Sequence, residues 1–294
     1  MFNNNKGLTM NIISEINGDC LIGVEKSKNY FLDKPIQLSE YTIILIHTGE
    51  GVFNADFGSF NFLGPTILFS TPLQTIYIND SRDVEYTIIK FHSDFYCIEA
   101  HREEVACNGL LFNNIYLEPS LVLSELQHSY FCQLLNQFEE ELSDPNSSDM
   151  ILKSYLQVVL AKSSTVKLRI MQDDVLCLPK NGKMEQFRLL LDQNFLTLHK
   201  PHDYAILLAI SSSTLTKNSI KYFGKNPSQL IQDRLILEAK KKLHLTTLSI
   251  KEISYLLKFN DEYYFSRYFK KYTKISPQAF RNKGGIAQLA YLSK

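Results

Sequence analysis

Arginine and lysine side chains recur near the C-terminus at the spacing of one helix face. In the run YFSRYFKK, Arg267 and Lys270 lie on the side of a helix opposite to Phe265 and Phe269. An arginine guanidinium can form two hydrogen bonds with a guanine edge, and lysine neutralises phosphate. The chemistry that these residue types predict is therefore recognition of nucleic acid.

Two helices joined by a turn are predicted to hold this face in place. Ser249 and Glu252 form an S-x-x-E capping box at the start of the first helix. Asn260 is a favourable N-cap for the second helix, and Ser276 with Pro277 starts a third. The apolar positions with helical spacing are Ile250, Ile253, Leu256 and Leu257 in the first helix, and Phe265, Tyr268, Phe269 and Tyr272 in the second. This arrangement is typical of a helix-turn-helix.

The run YFSRYFKKYTKISPQAFR resembles the second helix-turn-helix of the AraC/XylS family of bacterial transcription regulators. The resemblance implies a sequence-specific, DNA-binding regulator of transcription. The chain departs from the family at Lys258 and Lys274, where glycine is usual. Glycine tolerates a positive φ at little cost, so a lysine at a helix end predicts either mild strain or a different closing turn.

A degenerate copy of the motif precedes it, at an offset of 49 residues before the turn and 50 after it. Ser211 stands at the position of the predicted cap. Asn218 and Ser219 occupy positions where the family packs two large apolar side chains, so the first recognition helix is predicted to be looser or shifted by a turn. The matched pairs are Tyr204 with Ile253, Ile206 with Tyr255, Leu208 with Leu257, Ile210 with Phe259, Leu215 with Phe265, Lys217 with Arg267, Lys221 with Lys271, Tyr222 with Tyr272, Pro227 with Pro277, and Leu230 with Phe280.

A continuous helix is predicted between the copies, with Asn226 and Pro227 at its start. The run from Ser228 to Leu243 would span about 24 Å at the rise of an α-helix. Two recognition helices joined in this way would lie about one DNA turn, ~34 Å, apart. The predicted footprint is two adjacent major grooves on one face of the duplex.

The resemblance to the family motif implies which residues contact DNA. Those expected to face base edges are Glu262, Tyr263 and Arg267 on the second recognition helix, and Ser213, Thr214, Thr216 and Lys217 on the first. Those expected to meet phosphates are Lys221, Lys270 and Lys271.

Charge divides the 294-residue chain into two parts. From Lys183 onward there are 19 lysines and arginines against 8 aspartates and glutamates, a net charge of +11, and the preceding residues carry −11. Such asymmetry indicates a half that binds nucleic acid joined to a half that does not. We predict two domains, residues 1–177 and 183–294, with a linker between Gln172 and Lys183.

The sequence predicts neither a membrane span nor a secreted protein. The N-terminus lacks the pattern of a signal peptide, and no run approaches the ~20 apolar residues of a membrane span. We therefore expect a cytoplasmic protein. The cysteines are scattered without a C-x-x-C pair, which indicates free thiols rather than a disulfide framework or a zinc ribbon: Cys20, Cys97, Cys107, Cys132 and Cys177.

The N-terminal part is predicted to consist of short strands separated by turns. Gly58 and Ser59 fit a two-residue hairpin turn, and Gly64 with Pro65 marks another. The predicted strands are 41–46, 53–57, 60–62, 67–69, 76–78 and 86–91. Many short strands indicate a sandwich or a jelly-roll barrel, and the segment resembles the cupin-like sensor half that precedes the DNA-binding half in many members of the family.

Two amphipathic helices are predicted after the strands. Their apolar positions are Leu126, Tyr130, Leu134, Leu135, Phe138 and Leu142 in one, and Ile151, Leu152, Tyr155, Leu156 and Val159 in the other. The helical hairpin that they form either closes the end of the barrel or, by family likeness, provides a homodimer interface. The predicted fold class is α+β with two domains: a cupin-like β jelly-roll barrel with a helical hairpin, and an all-α domain with two helix-turn-helix motifs joined by a long helix.

The resemblance also implies a small-molecule effector bound in the barrel. The aromatic residues expected to line its pocket are Phe53, Phe57, Phe69 and Tyr77. The same residues would be needed for packing, so the sequence does not separate a sensor from a barrel that serves only for dimerisation or protein interaction. Double-stranded DNA, an effector, a second copy of the chain and RNA polymerase are the partners that the family implies, and a membrane is not among them.

The sequence lacks catalytic and metal-binding patterns. His47 stands alone on its predicted strand, and His92 and His101 do not form the His-x-His pair of metal-binding cupins. No nucleophile elbow, zincin motif, P-loop or dinucleotide-binding motif occurs. We therefore predict no bound metal, no cofactor and no enzymatic activity, and a cupin enzyme fused to a DNA-binding domain is the least favoured alternative.

Overall fold

The computed structural model describes residues 9–16, 19–28, 32–56, 58–98, 110–112, 114–177 and 182–284. The chain forms two compact units. The sheet unit comprises Met1–Asn114 with Glu118–Ile170, and the helical unit comprises Ile115–Leu117 with Met171–Lys294. Over the described ranges, no helix has both the length and the apolar character needed to cross a membrane.

The sheet unit is built on one antiparallel sheet. The order of the strands along the sheet is β1-β2-β7-β4-β6-β8, with β3 paired to β7 and β5 paired to β4. The strands are β1 Thr9–Ile16, β2 Asp19–Lys28, β3 Ile36–Gln37, β4 Tyr41–Ala55, β5 Gly58–Leu63, β6 Thr66–Ser70, β7 Thr75–Phe91 and β8 Ser120–Val122. The N-terminal region is thus rich in antiparallel sheet, as the sequence predicts.

Two strands are much longer than the alternation of residues predicts. β4 has 15 residues and β7 has 17, where the sequence suggested separate short strands. The two strands pair along their length through register shifts between Ile46 and Val52. Gly49 has a φ of +91°, and a Cβ there would lie 2.5 Å from the carbonyl oxygen of Arg82. Bulges therefore bend continuous strands at places where the sequence pattern appeared to end them.

The turn between β4 and β5 lies two residues earlier than predicted. Ala55 pairs with Gly58, so Gly58 and Ser59 belong to β5 rather than to the turn. Asp56 takes a positive φ of 52°, and its carboxylate accepts a hydrogen bond of 3.0 Å from the amide of Thr75. An aspartate therefore occupies the left-handed position that the prediction assigned to glycine, and its hydrogen bond ties the turn to the start of β7.

Two helices complete the sheet unit: α1, Glu125–Ser143, and α2, Asp149–Cys177. The rings of Phe138 and Tyr155 stack at 5.7 Å, so the two helices pack against each other. The buried side of α1 differs from the predicted stripe, because Leu126 is 83% exposed and Tyr130 is also exposed, whereas Phe131 is buried. The other buried side chains of α1 are those predicted: Leu134, Leu135, Phe138 and Leu142.

The predicted linker between residues 172 and 183 begins too early. Helix α2 continues to Cys177, through Pro-free and Gly-free sequence, and the two compact units divide inside it, after Ile170. Residues 178–181 lie outside the described residues. The helical pattern of apolar residues fades before the helix itself ends.

The helical unit contains α3 to α9. Their bounds are α3 Gly182–Asn194, α4 Pro201–Leu207, α5 Ser212–Phe223, α6 Pro227–Leu245, α7 Ile250–Leu256, α8 Glu262–Thr273 and α9 Pro277–Gly284. Helix α6 corresponds to the predicted connecting helix but has 19 residues, about 28 Å at the α-helical rise. Its core with α3 to α5 is apolar and includes Phe187, Leu191, Tyr204, Leu215 and Leu230.

Candidate nucleic-acid interface

Helix α7 begins with the capping box that the sequence predicts. The hydroxyl of Ser249 accepts a hydrogen bond of 3.2 Å from the amide of Glu252, and the Glu252 carboxylate accepts one of 2.7 Å from the amide of Ser249. The hydrogen bonds from the Ser249 side chain and backbone lower the pKa of Glu252. The capping box thereby satisfies two of the amides that have no partner within the helix.

The cap of helix α8 is Asp261 rather than the predicted Asn260. The Asp261 carboxylate accepts a hydrogen bond of 2.7 Å from the amide of Tyr264, and the helix starts at Glu262. Asn260 is the extra residue of the turn, which explains why the offset between the copies changes from 49 to 50. Asn and Asp are both good N-caps. The turn is one residue longer than in the first copy, so Asp261 and not Asn260 stands at the cap position.

Helix α8 presents a polar and basic face opposite an aromatic core. Phe265 and Phe269 are at most 1% exposed, whereas Tyr263 is 81% exposed. The side chains of Arg267 and Lys270 are also exposed. Among the other predicted contact residues, Lys271 is exposed and Glu262 is half-buried. The structure thus brings the predicted residues of this helix onto one accessible surface.

Helix α5 of the first copy is in register with α8. Both helices have 12 residues, and their ends differ by the same offset of 50. Ser211 caps α5 by accepting a hydrogen bond of 3.1 Å from the amide of Thr214. Of the two predicted alternatives, a looser helix or one shifted by a turn, the register of α5 rules out the shift. Its predicted contact residues Ser213, Thr214, Lys217 and Lys221 are exposed, and Thr216 is half-buried.

In each copy a buried hydroxyl stabilises the turn that follows α5 or α8, but the hydroxyl stands at a different position of the helix. In the first copy, buried Ser219 donates a hydrogen bond of 2.7 Å to the carbonyl of Lys225. In the second, buried Thr273 donates one of 2.9 Å to the carbonyl of Ile275, the residue equivalent to Lys225. An aromatic ring occupies the complementary position in each copy: Phe223, partly buried, in the first, and Phe269 in the second.

Lysine occupies a left-handed backbone position at the end of each helix of the second pair. Lys258 has a φ of 61° and Lys274 a φ of 67°. The equivalent residues of the first pair, Ala209 and Gly224, have φ values of 51° and 68°. Of the two alternatives that the sequence left open, the structure shows the same closing turn with a strained lysine.

The connecting helix α6 is anchored by Arg234, whose role the sequence analysis missed. Its guanidinium lies 3.9 Å from the centre of the Phe195 ring and forms ion pairs of 3.2 Å with Asp192 and Glu238. The phenol of Tyr116 also donates to Asp192, at 3.2 Å, and burial raises the pKa of Tyr116. The signal in the sequence was only an i, i+4 pair of Arg234 and Glu238.

The residues predicted to line an effector pocket do not share one face of the sheet. Phe53 packs in a core cluster with Leu68, Ile76 and Ile78. Phe69 follows Leu68 along β6 and Tyr77 lies between two residues of that cluster, so both point to the opposite face. The ring of Phe69 meets Phe112 edge-on at 5.4 Å. Phe57 lies outside the described residues.

His47 is not isolated in the folded chain. Its Nδ1 atom lies 3.0 Å from Nε2 of His128 and 3.7 Å from Sγ of Cys132. Burial, with the charge of His128, lowers the pKa of His47, and burial raises the pKa of the Cys132 thiol. The expectation of no metal was based on a lone histidine, and the structure removes that basis. His101 lies outside the described residues.

Comparison with known proteins places one family match in the helical unit. Residues 204–283 match a family model described as a helix-turn-helix domain. No curated protein matches the chain. Among solved structures, the C-terminal domain of the two-component response regulator yesN from Fusobacterium nucleatum is 25% identical, and the alignment covers 34% of this chain and 99% of that one with a TM-score of 0.33.

Two further solved structures extend the comparison. A transcriptional regulator with an AraC-type DNA-binding domain from Chromobacterium violaceum is 22% identical over 35% of this chain and 93% of that one, with a TM-score of 0.32. Fatty-acid-bound ToxT from Vibrio cholerae is 16% identical over 98% of this chain and 100% of that one, with a TM-score of 0.41. These superpositions are loose, so the assignment of a helix-turn-helix domain depends on the family match over residues 204–283.

Proposed function

Because residues 204–283 form a helix-turn-helix domain of the AraC type, we propose that this protein is a sequence-specific, DNA-binding regulator of transcription. The observation that carries the proposal is the exposed face of α8, where Arg267 and Lys270 stand opposite buried Phe265 and Phe269. Regulators of this type are usually not enzymes.

The proposed DNA-binding domain is residues 183–294, with two helix-turn-helix motifs joined by α6. In this proposal α5 and α8 enter adjacent major grooves. Glu262, Tyr263 and Arg267 read bases from α8, together with four residues of α5: Ser213, Thr214, Thr216 and Lys217. Lys221, Lys270 and Lys271 contact phosphates. The equal lengths of α5 and α8 and their equivalent caps support two motifs of one kind.

The first test is DNA binding by the full-length protein as salt rises. A duplex selected from a random library and a scrambled duplex are titrated by fluorescence anisotropy between ~50 and ~200 mM salt, where released counterions should make affinity fall steeply. The double variant Lys270→Ala, Lys271→Ala should show a shallower slope, and Lys34→Ala, an exposed lysine of the sheet unit, should not. Affinity that does not change with salt would contradict the proposal.

We further propose that residues 1–177 form a cupin-like jelly-roll domain that senses a small molecule. Of the expected pocket residues, Phe53 is fully buried in an apolar cluster of the sheet unit. A thermal-shift screen of the full-length protein against sugars, aromatic acids and other metabolites tests this, since a ligand at 100 times its Kd adds about 2.7 kcal/mol. A screen without a hit favours the alternative of a dimerisation or protein-interaction module.

If the sheet unit serves for dimerisation, we propose that the two chains of a homodimer meet through α1 and α2. Exposed apolar side chains on these helices support it, because contiguous apolar surface commonly marks an interface. They are Leu126 and Tyr130 on α1, and Met150, Ile151 and Val158 on α2. Light scattering after size-exclusion chromatography should give a dimer for the wild type and a monomer for Leu126→Glu with Ile151→Glu, and a wild-type monomer would contradict the proposal. Contact with RNA polymerase stays a prediction from the family.

A further inference from the structure

Three ligand-type side chains converge in the sheet unit, whereas the proposed DNA contacts all belong to the helical unit. His47 lies on β4, and His128 and Cys132 lie on α1. Their Nδ1, Nε2 and Sγ atoms all lie within 4.8 Å of one another, and all three residues are partly buried. We propose that His47, His128 and Cys132 form a zinc site with a fourth position open to water. The proposal stands apart from DNA binding, and its test does not involve DNA.

The spacing of the three atoms fits a tetrahedral ion. Zinc bonds of about 2.05 Å to nitrogen and 2.3 Å to sulfur place two nitrogen ligands ~3.3 Å apart and a nitrogen and a sulfur ~3.6 Å apart. The observed separations are 3.0 Å between the nitrogens of His47 and His128, and 3.3 and 3.7 Å from these nitrogens to Cys132 Sγ. An ion at the centre would require shifts of only a few tenths of an ångström.

The ring of His47 is already oriented for this role. Its other nitrogen, Nε2, lies 2.8 Å from the hydroxyl of Thr87, which is 1% exposed. When Nε2–H donates to the Thr87 hydroxyl, Nδ1 keeps its lone pair and faces His128 and Cys132. Hydrogen bonding to the far nitrogen of a histidine ligand is a regular feature of metal sites.

The two elements that carry the ligands are held without a metal. His128 and Cys132 are four residues apart and so lie on one face of α1. A capping box between Ser124 and Gln127 sets the start of that helix at Glu125, three residues before His128. Two turns beyond Cys132, Glu139 forms an ion pair of 2.5 Å with Lys26 of β2. The cluster is therefore largely preformed.

The ligand set selects the ion by its chemistry. Two imidazoles and a thiolate suit borderline-soft Zn²⁺, whereas Mg²⁺ and Ca²⁺ prefer oxygen ligands. Binding would convert the Cys132 thiol to a thiolate and release one proton to solvent. Three protein ligands leave one tetrahedral position, and the partial exposure of the cluster gives water access to it.

A hydrogen-bonded trio without a metal is the competing interpretation of the same distances. The separation of 3.0 Å between His47 and His128 also fits a shared proton. The two interpretations differ in the role of the Cys132 sulfur, which is a metal ligand in one and a hydrogen-bonding group in the other. A metal site loses its ion when Cys132 or His128 is removed, whereas a hydrogen-bonded trio has no ion to lose.

The test measures zinc retained by the full-length protein. Chelator-treated protein is loaded with Zn²⁺, dialysed against metal-free buffer and analysed for metal content, with folding checked by circular dichroism. We expect one zinc ion per chain in the wild type and little or none in Cys132→Ser and His128→Asn. Cys97→Ser removes the other thiol that the structure describes, and His199→Asn removes an exposed histidine of the helical unit, so both controls should retain zinc.

Cobalt substitution gives a second readout, and its wild-type spectrum does not depend on any variant folding. Co²⁺ in the wild type should show the intense visible bands of tetrahedral cobalt and a thiolate-to-cobalt charge-transfer band, and Cys132→Ser should lose the latter. Thr87→Val, which removes the hydrogen bond to His47, should weaken binding about 10-fold. Wild-type protein without zinc, zinc retained equally by Cys132→Ser and His128→Asn, or a cobalt spectrum without the thiolate band would each overturn the proposal.

Discussion

The two helix pairs of the helical unit share a backbone but differ in what fills it. Helices α5 and α8 have the same length, and the left-handed residues after them have φ values within one degree of each other. The second pair buries Phe265 and Phe269, and Phe269 packs edge-on against Phe280, whereas the first pair has Ser219 at the place of Phe269. The caps and turns therefore give both pairs the same backbone geometry. The cores differ, because the large and the small residue, Phe223 and Ser219 in the first pair, have exchanged positions one helical turn apart in the second, as Phe269 and Thr273.

The comparison predicts that the two cores contribute unequally to the stability of the helical unit, and this is the largest of the expected effects. Phe269→Ala should destabilise the helical unit by about 3 to 5 kcal/mol, because it leaves a cavity in an aromatic cluster. Ser219→Ala should cost only about 1 kcal/mol, the value of its hydrogen bond to Lys225. Urea unfolding followed by circular dichroism measures both, and equal losses would show that the two cores are equivalent.

The second prediction concerns reading of bases. Arg267→Ala should reduce the ratio of cognate to scrambled DNA affinity by about 5- to 150-fold, the equivalent of 1 to 3 kcal/mol for a bidentate contact. Lys217→Ala, at the equivalent position of the first pair, should reduce it less, because lysine has no planar fork for guanine.

Competition titrations with both duplexes measure this ratio. Lys270→Ala is the matched control, since loss of a phosphate contact should weaken binding to both duplexes alike. An unchanged ratio for Arg267→Ala would mean that α8 does not read sequence.

The third prediction tests the cap assignments. Asp261→Ala and Ser211→Ala should each lower the stability of the helical unit by about 0.5 to 2 kcal/mol, because each leaves a helix amide without its acceptor. Asn260→Ala should have almost no effect, since its side chain does not cap α8. Thermal melts of the three variants measure the differences. A loss at Asn260 as large as that at Asp261 would restore the cap that the sequence suggested.

The smallest effects are expected at the left-handed positions. Lys274→Gly should stabilise the helical unit by about 0.5 to 1 kcal/mol, since relief of left-handed strain outweighs the added freedom of glycine in the unfolded chain. Gly224→Ala should destabilise by about 1 kcal/mol. No atom lies within 4 Å of a Cβ built at Gly224, so that cost would come from φ alone. Calorimetric melting temperatures that move in the same direction for both variants would contradict this account.

How much the sequence predicts depends on how local the determining contacts are. The capping box of Ser249 and Glu252 and the spacing of Phe265 and Phe269 involve neighbours within a turn or two, and the structure has them as predicted. The long strands β4 and β7 were missed because their bulges depend on pairing between distant residues. The alternation of apolar residues stops at a bulge although the strand does not.

The candidate zinc cluster was missed for the same reason. His47 and His128 are 81 residues apart in sequence. Only the packing of α1 on the sheet brings them together, and no periodic pattern records which helix face meets which strand. The i, i+4 spacing of His128 and Cys132 was the one local signal, and a histidine and a cysteine at that spacing are individually common in helices.

Asn260 indicates where a duplicated motif can change in length during evolution. The extra residue lies before the cap Asp261, so α8 keeps its rotation and Arg267 stays on the accessible face. The same insertion after Asp261 would turn every following side chain by about 100° and carry Arg267 toward the core. A change in the length of the turn therefore leaves the faces of α8 in place, whereas an insertion within α5 or α8 would rotate the side chains that follow it.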